Sequence, residues 1–79
     1  MVAEDTRRLV GRNLARMRRA KGLSQEELAA MSGFSQQYLS GLEAGHRNPT
    51  VATLHELADA LGARIVDFFA PQGSGEPSP

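Results

Sequence analysis

Apolar residues recur along this chain at helical spacing, and nowhere do they alternate as they would in a strand. Val10, Leu14 and Met17 predict a first helix over residues 6–21, with Arg12, Arg16 and Arg19 on its opposite side. Gly22 is placed to end it as a left-handed cap. In "LSQEELAAMSGF", Ser24 is an N-cap, and Glu27 three residues on completes a capping box. Leu23 and Leu28 suit a hydrophobic staple. A second helix is expected over 25–31, closed by Gly33. The start signal repeats at once. Ser35 caps a third helix that runs to Ala44, Phe34 is placed against Leu39, and Gly45 stops it. "HRNP" is a loop. Thr50 caps a fourth helix over 51–61, with Val51, Leu54, Leu57, Ala58 and Leu61 on one side and Gly62 as its stop. "ARIVDFFA" predicts a short fifth helix presenting Ile65, Phe68 and Phe69. The expected fold is therefore all-α, a bundle of five helices. One domain over 6–70 sits between a frayed lead-in, 1–5, and a tail, 71–79, whose Pro, Gly and Ser content predicts disorder.

Two short capped helices joined by a tight glycine turn are a helix-turn-helix arrangement, and the third helix has an unusual outer face. With Leu39 at zero and about 100° per residue, Leu42 and Glu43 point inward with it. Gln37, Gly41 and Ala44 point directly outward. Gln36 and Ser40 flank them on one side and Tyr38 on the other. Gly41 alone costs about 1 kcal/mol against Ala in a helix interior. A helix that lies close against another surface gains from being thin there. The major groove of DNA admits such a helix, and a glutamine side chain can pair with adenine through two hydrogen bonds. Its free N-terminal amides also suit phosphate.

Charge sharpens this picture. The formal net charge of the 79 residues is zero, but its distribution is uneven. Arg7, Arg8, Arg12, Arg16, Arg18, Arg19 and Lys21 carry seven of the nine basic residues, opposed before Ser24 only by Glu4 and Asp5. Such asymmetry suits a polyanion on one face. A solvated amphipathic helix would show the same arginines.

Other chemistry finds little support. There is no cysteine, which excludes disulfides and thiolate metal sites and fits a reducing cytoplasm. His46 and His55 are the two histidines, and no metal ligand set accompanies them. No Gly-rich phosphate loop or nucleophile elbow is present. Neither an apolar run near the roughly 20 residues of a membrane span nor a secretory signal segment occurs. No enzyme activity, cofactor, membrane association or small-molecule ligand is expected.

The stretch "LARMRRAKGLSQEELAAMSGFSQQYLSGLEAGHRNPTVATLHELADALG", residues 14–62, resembles the phage-repressor and Cro-type helix-turn-helix family, the xenobiotic-response-element-like bacterial regulators. The resemblance implies a repressor-like bundle whose second and third helices bind DNA. It implies that Gln36 and Gln37 read bases, with Ser40 and Tyr38 beside them. Gln25, Ser35, His46, Arg47, Asn48 and Arg19 would meet phosphate. Gly41 stands where some relatives carry a further base-contacting side chain, which leaves fewer direct contacts. Arg18 and Glu43 match a pair that forms a salt bridge behind the third helix, and the helical wheel independently turns both inward.

"YLSGLEAGHRNPT" is similar to the short controller proteins of restriction–modification systems, which carry Tyr-x-Ser-Gly followed by Arg-Asn. The implied function is sequence-specific DNA binding by a transcription regulator, a repressor or autoregulator, acting as a homodimer on a palindromic operator. Val66 and Phe69 are the expected dimer contacts, while Ile65 and Phe68 complete the monomer core. The neutral net charge also suits a second reading on the same fold, an antitoxin-like or adaptor module that binds a polypeptide.

Overall fold

The computed structural model describes residues 3–71, which form four α-helices and one 3₁₀ helix with no strand among them. Helix α1 spans Ala3–Ala20, α2 Gln25–Ser32, α3 Gln36–Glu43 and α4 Val51–Leu61. The 3₁₀ helix, Ile65–Phe69, follows. Residues 1–2 and 72–79 lie outside the described residues, and with them most of the expected tail.

The three internal helix starts are set by their caps. Ser24 Oγ accepts from the Glu27 amide at 3.0 Å, while the Ser24 amide donates to Glu27 Oε1 at 2.8 Å. Ser35 Oγ accepts from the Tyr38 amide at 3.0 Å, and Thr50 Oγ1 from the Thr53 amide at 3.1 Å. Each satisfies an amide the first helical turn leaves open, worth about 1 kcal/mol. Between α2 and α3 the chain turns at Gly33, whose φ of 85° lies in the left-handed region. A residue with a Cβ would lose roughly 1–2 kcal/mol there. The turn is thereby kept short, and α3 leaves α2 at a fixed angle.

Leu14, Leu28, Leu39, Leu42, Leu57 and Phe68 are fully enclosed where the helices meet. Helix α1 packs on α3 and on the 3₁₀ helix, and α2 packs on both α3 and α4. Helix α1 approaches the backbone of α3 closely at Gly11. An ideal Cβ on it would lie 2.3 Å from the Leu42 carbonyl oxygen and 2.7 Å from that of Glu43. Helix α1 therefore rests directly on the backbone at the end of α3.

A buried polar clamp fastens the C-terminal segment. Asn13 is fully buried, and its Nδ2 donates to the carbonyls of Phe68 at 2.8 Å, Ala70 at 2.9 Å and Leu9 at 3.1 Å. Arg16 Nη2 donates to Asn13 Oδ1 at 2.8 Å.

Several expectations change, among them the ends of α1, at Ala20 rather than residue 21, and of α2, at Ser32 rather than residue 31. The fifth helix is a single 3₁₀ segment rather than an α-helix. Ala70 precedes Pro71, which drives it to an extended backbone, φ −63° and ψ 137°, and stops helical growth. The first helix starts at Ala3, so residues 3–5 of the expected lead-in are helical. The third helix ends one residue early, with Ala44 as its cap. Val51, expected inside, is 65% exposed. As the first residue of α4 it borders a shallow apolar groove instead, with Pro49, Leu54 and Phe69.

Candidate nucleic-acid interface

Leu39 and Leu42 anchor α3 in the core, so its other face must be outward. Gln36, Gln37 and Ser40 are exposed there together. Tyr38 is half-buried on one flank, its ring 5.4 Å from that of Phe34 and tilted 34° to it. This contact holds the Tyr38 side chain at the edge of the exposed face.

Arg47, from the loop after α3, folds back over this edge. Its guanidinium carbon lies 5.6 Å from the Tyr38 ring centroid, a cation–π distance. Its stem crosses Gly41, where an ideal Cβ would come within 3.0 Å of Arg47 Cγ and Nε. The sequence suggested that Gly41 thins α3 toward a partner surface. Here the space beside Gly41 is taken by Arg47, which brings a cation onto the face that Gly41 leaves low. His46 and Asn48 are exposed in the same loop.

The opposite flank is built on a buried ion pair. Arg18 Nε donates to Glu43 Oε2 at 2.7 Å and Nη2 to Glu43 Oε1 at 3.0 Å, in a two-pronged contact. The Arg18 and Glu43 side chains are only 10% and 9% exposed. Arg18 Nη1 also donates to the Leu23 carbonyl at 2.8 Å. One guanidinium thus ties together α1, the turn before α2, and the end of α3. Hydrogen bonding to Glu43 raises the Arg18 pKa above its ordinary value, against partial desolvation and with the help of the carboxylate's charge. Gln25 Nε2 donates to Glu43 Oε1 at 3.1 Å, which fixes the start of α2 against the end of α3. Arg19 and Ser40 border the same cleft as Gln25 and Glu43.

The structure thus brings Gln36, Gln37, Ser40 and Tyr38 onto one face. It sets Gln25, Ser35 and Arg19 toward α2 and α1, and His46, Arg47 and Asn48 beyond α3. Val66 and Phe69 do not join this face. They sit on the 3₁₀ helix, 52% and 44% exposed, while Phe68 is fully buried and Ile65 packs on the core. Sequence reasoning missed Asn13 and Gly11. An Asn among apolar helix positions was a signal for the first. Nothing near Gly11 in the chain announced the second. Among the described residues no group of three or more His, Asp or Glu could hold a metal ion, and no helix is long and apolar enough to cross a membrane.

An outward helix seated by a short turn against a second capped helix, with amides on its face and cations at its flanks, defines a helix-turn-helix DNA-binding domain. The helix-turn-helix family model matches residues 14–68, and the chain belongs to that family of DNA-binding transcription regulators. It is 66% identical over 67 residues to an uncharacterized HTH-type transcriptional regulator, y4dJ, of Sinorhizobium fredii, covering 85% of this chain and 87% of that protein. The crystal structure of the restriction-modification controller protein C.AhdI from Aeromonas hydrophila superposes with a TM-score of 0.77 at 40% identity, covering 80% of this chain and 96% of that one. The controller protein C.Esp1396I, solved as a tetramer in complex with its natural 35 base-pair operator, superposes with a TM-score of 0.74 at 33% identity, covering 81% and 84%.

Proposed function

We propose that this protein is a sequence-specific regulator of the controller-protein kind, which binds an inverted-repeat operator as a homodimer and represses or autoregulates transcription in the bacterial cytoplasm. The exposed face of α3 carries the proposal. Gln36 and Gln37 stand exposed at its N-terminal end with no partner side chain among the described residues, and small residues behind them let the helix enter a major groove. Ser40 and Tyr38 border the bases. Gln25 and Ser35 on one side, and Arg47, His46 and Asn48 on the other, flank the helix where the two phosphate strands of a groove would run. The domain of residues 6–70 is the DNA-binding unit.

Dimerisation follows from the small footprint. One recognition helix covers about one half-site, and two placed roughly 34 Å apart read successive turns of one DNA face. The C-terminal side offers the surface. Val66 and Phe69 are exposed there, beside the groove of Val51 and Pro49. Arg7 Nε is buried at its edge without a hydrogen-bond partner among the described residues, where an acceptor from a second copy would satisfy it.

The test is a gel shift with fragments of the host genome at increasing salt. Retarded fragments that compete selectively, with affinity falling steeply as salt rises, support the DNA reading. Failure to retard any fragment, with capture of a defined polypeptide instead, supports the antitoxin-like or adaptor alternative.

A further inference from the structure

Arg12, Arg16 and Arg19 form a line along the solvent face of α1, each exposed. Arg12 and Arg16 are spaced i, i+4, the spacing at which like charges on a helix face one another and destabilise it. No acidic residue occurs from 6 to 25 to offset this. A helix that only had to face water would gain from a Glu at one of these positions. The line also has a definite neighbour. Arg12, Arg16 and Arg19 border one cleft together with Gln25, Ser40 and Glu43, so they lie directly beside the recognition helix. The close seat of Gly11 on the Leu42 and Glu43 carbonyls brings them there. Among the described residues Glu43 is the one carboxylate of this cleft, and Arg18 and Gln25 already occupy it. Arg16 spends one of its donors on Asn13, which orients the guanidinium and leaves the remaining donors available.

We propose that Arg12 and Arg16 extend the Arg19 flank into a phosphate-binding rail for one DNA strand, running beyond the major groove entered by α3. This rests on the DNA-binding reading above and adds to it a backbone-binding surface on α1. A line of arginines at fixed pitch suits a row of phosphates. It carries no base information. The rail therefore contributes affinity and footprint length, not sequence choice.

The experiment is a salt titration of operator binding by wild type and by the double variant Arg12→Gln/Arg16→Gln, on a duplex selected for wild type and on a scrambled duplex. For every phosphate that the protein no longer neutralises, the slope of log K against log salt becomes shallower by about 0.9. The variant is expected to bind both duplexes at least about tenfold more weakly at low salt, with a shallower slope and an unchanged ratio between them. Trimming the flanks of the duplex is expected to weaken wild type and leave the variant little changed. Relief of like-charge repulsion is set against loss of the Arg16 donor to Asn13 Oδ1, so circular dichroism accompanies the titration and is expected to show wild-type helical content in the variant under the binding conditions. A wild-type slope in the variant, or a lost preference for the operator with the slope intact, overturns the rail while leaving the base-reading helix standing. A wild type that discriminates no DNA overturns both.

Discussion

The side-chain amide of Asn13 donates to the Phe68 carbonyl at 2.8 Å, joining residues 55 positions apart through a fully buried contact. The 3₁₀ helix that carries Val66 and Phe69 is thereby clamped to α1. Without the clamp, the buried carbonyl of Phe68 would lose its side-chain donor at a cost of about 1–3 kcal/mol, and the half-buried carbonyl of Ala70 at less. Asn13→Leu is expected to lower the denaturant midpoint by an amount in that range, with the slope of the transition unchanged. Asn13→Asp is expected to be worse, because a carboxylate faces the carbonyls with no proton to give. A midpoint equal to wild type in urea unfolding would show that the clamp adds nothing to stability.

Gly11→Ala sets two effects against each other. Alanine favours a helix interior by about 1 kcal/mol over glycine. A Cβ 2.3 Å from the Leu42 carbonyl oxygen requires α1 and α3 to move apart, and neither contact atom belongs to a flexible side chain. The clash wins, and the variant is expected to melt lower and to bind DNA more weakly because α3 is reseated. A melting temperature at or above wild type would show that α1 tolerates the separation.

The helix caps were legible because each is local. Ser24 with Glu27, Ser35 and Thr50 act within three residues, so residue type and spacing specify them. The inward turn of Arg18 and Glu43 was legible from helical phase. Asn13 and Gly11 were not, because what makes them necessary is backbone brought close by the fold, at Phe68 and Leu42. The fifth helix was misjudged because its apolar residues suggested an α-helix, while the geometry imposed by Ala70–Pro71 decided the outcome. Val51 had the right phase for the core but lies at the helix end, where the core has already stopped. At Gly41 the sequence showed an empty outer position. Only the fold shows that Arg47 lies across it.

Glu43→Ala leaves the Arg18 guanidinium charged and enclosed with only the Leu23 carbonyl as partner. Breaking a buried pair from one side costs on the order of 3–5 kcal/mol when burial is complete. With side chains about a tenth exposed, the lower end is expected here. Thermal unfolding of the variant against wild type measures it, and a shift of less than a degree or two contradicts a structural role for the pair.

Gly41→Ala separates stability from function. The nearest atoms to the new methyl belong to the Arg47 side chain, whose stem can swing away. Stability is expected to rise by up to about 1 kcal/mol. DNA affinity is expected to fall, because Arg47 leaves its seat on Tyr38 and the outer face of α3 thickens. Increased stability with undiminished binding would mean that the low face of α3 does not approach DNA.

Phe69→Ser addresses the second copy. Sedimentation equilibrium is expected to show a dimer for wild type and a monomer for the variant, with helical content preserved because Phe68, not Phe69, fills the core. A variant that dimerises as wild type does would move the interface elsewhere on the molecule.

The most direct test is selection of bound duplexes from a random DNA pool by wild type and by Gln36→Ala/Gln37→Ala. Wild type is expected to enrich an inverted repeat with half-sites about one helical turn apart. The double variant is expected to lose preference at one or two base pairs of each half-site, at about 1–3 kcal/mol per pair, while still binding DNA. Enrichment of the same repeat by both proteins, or of no repeat by wild type, would contradict base reading by α3.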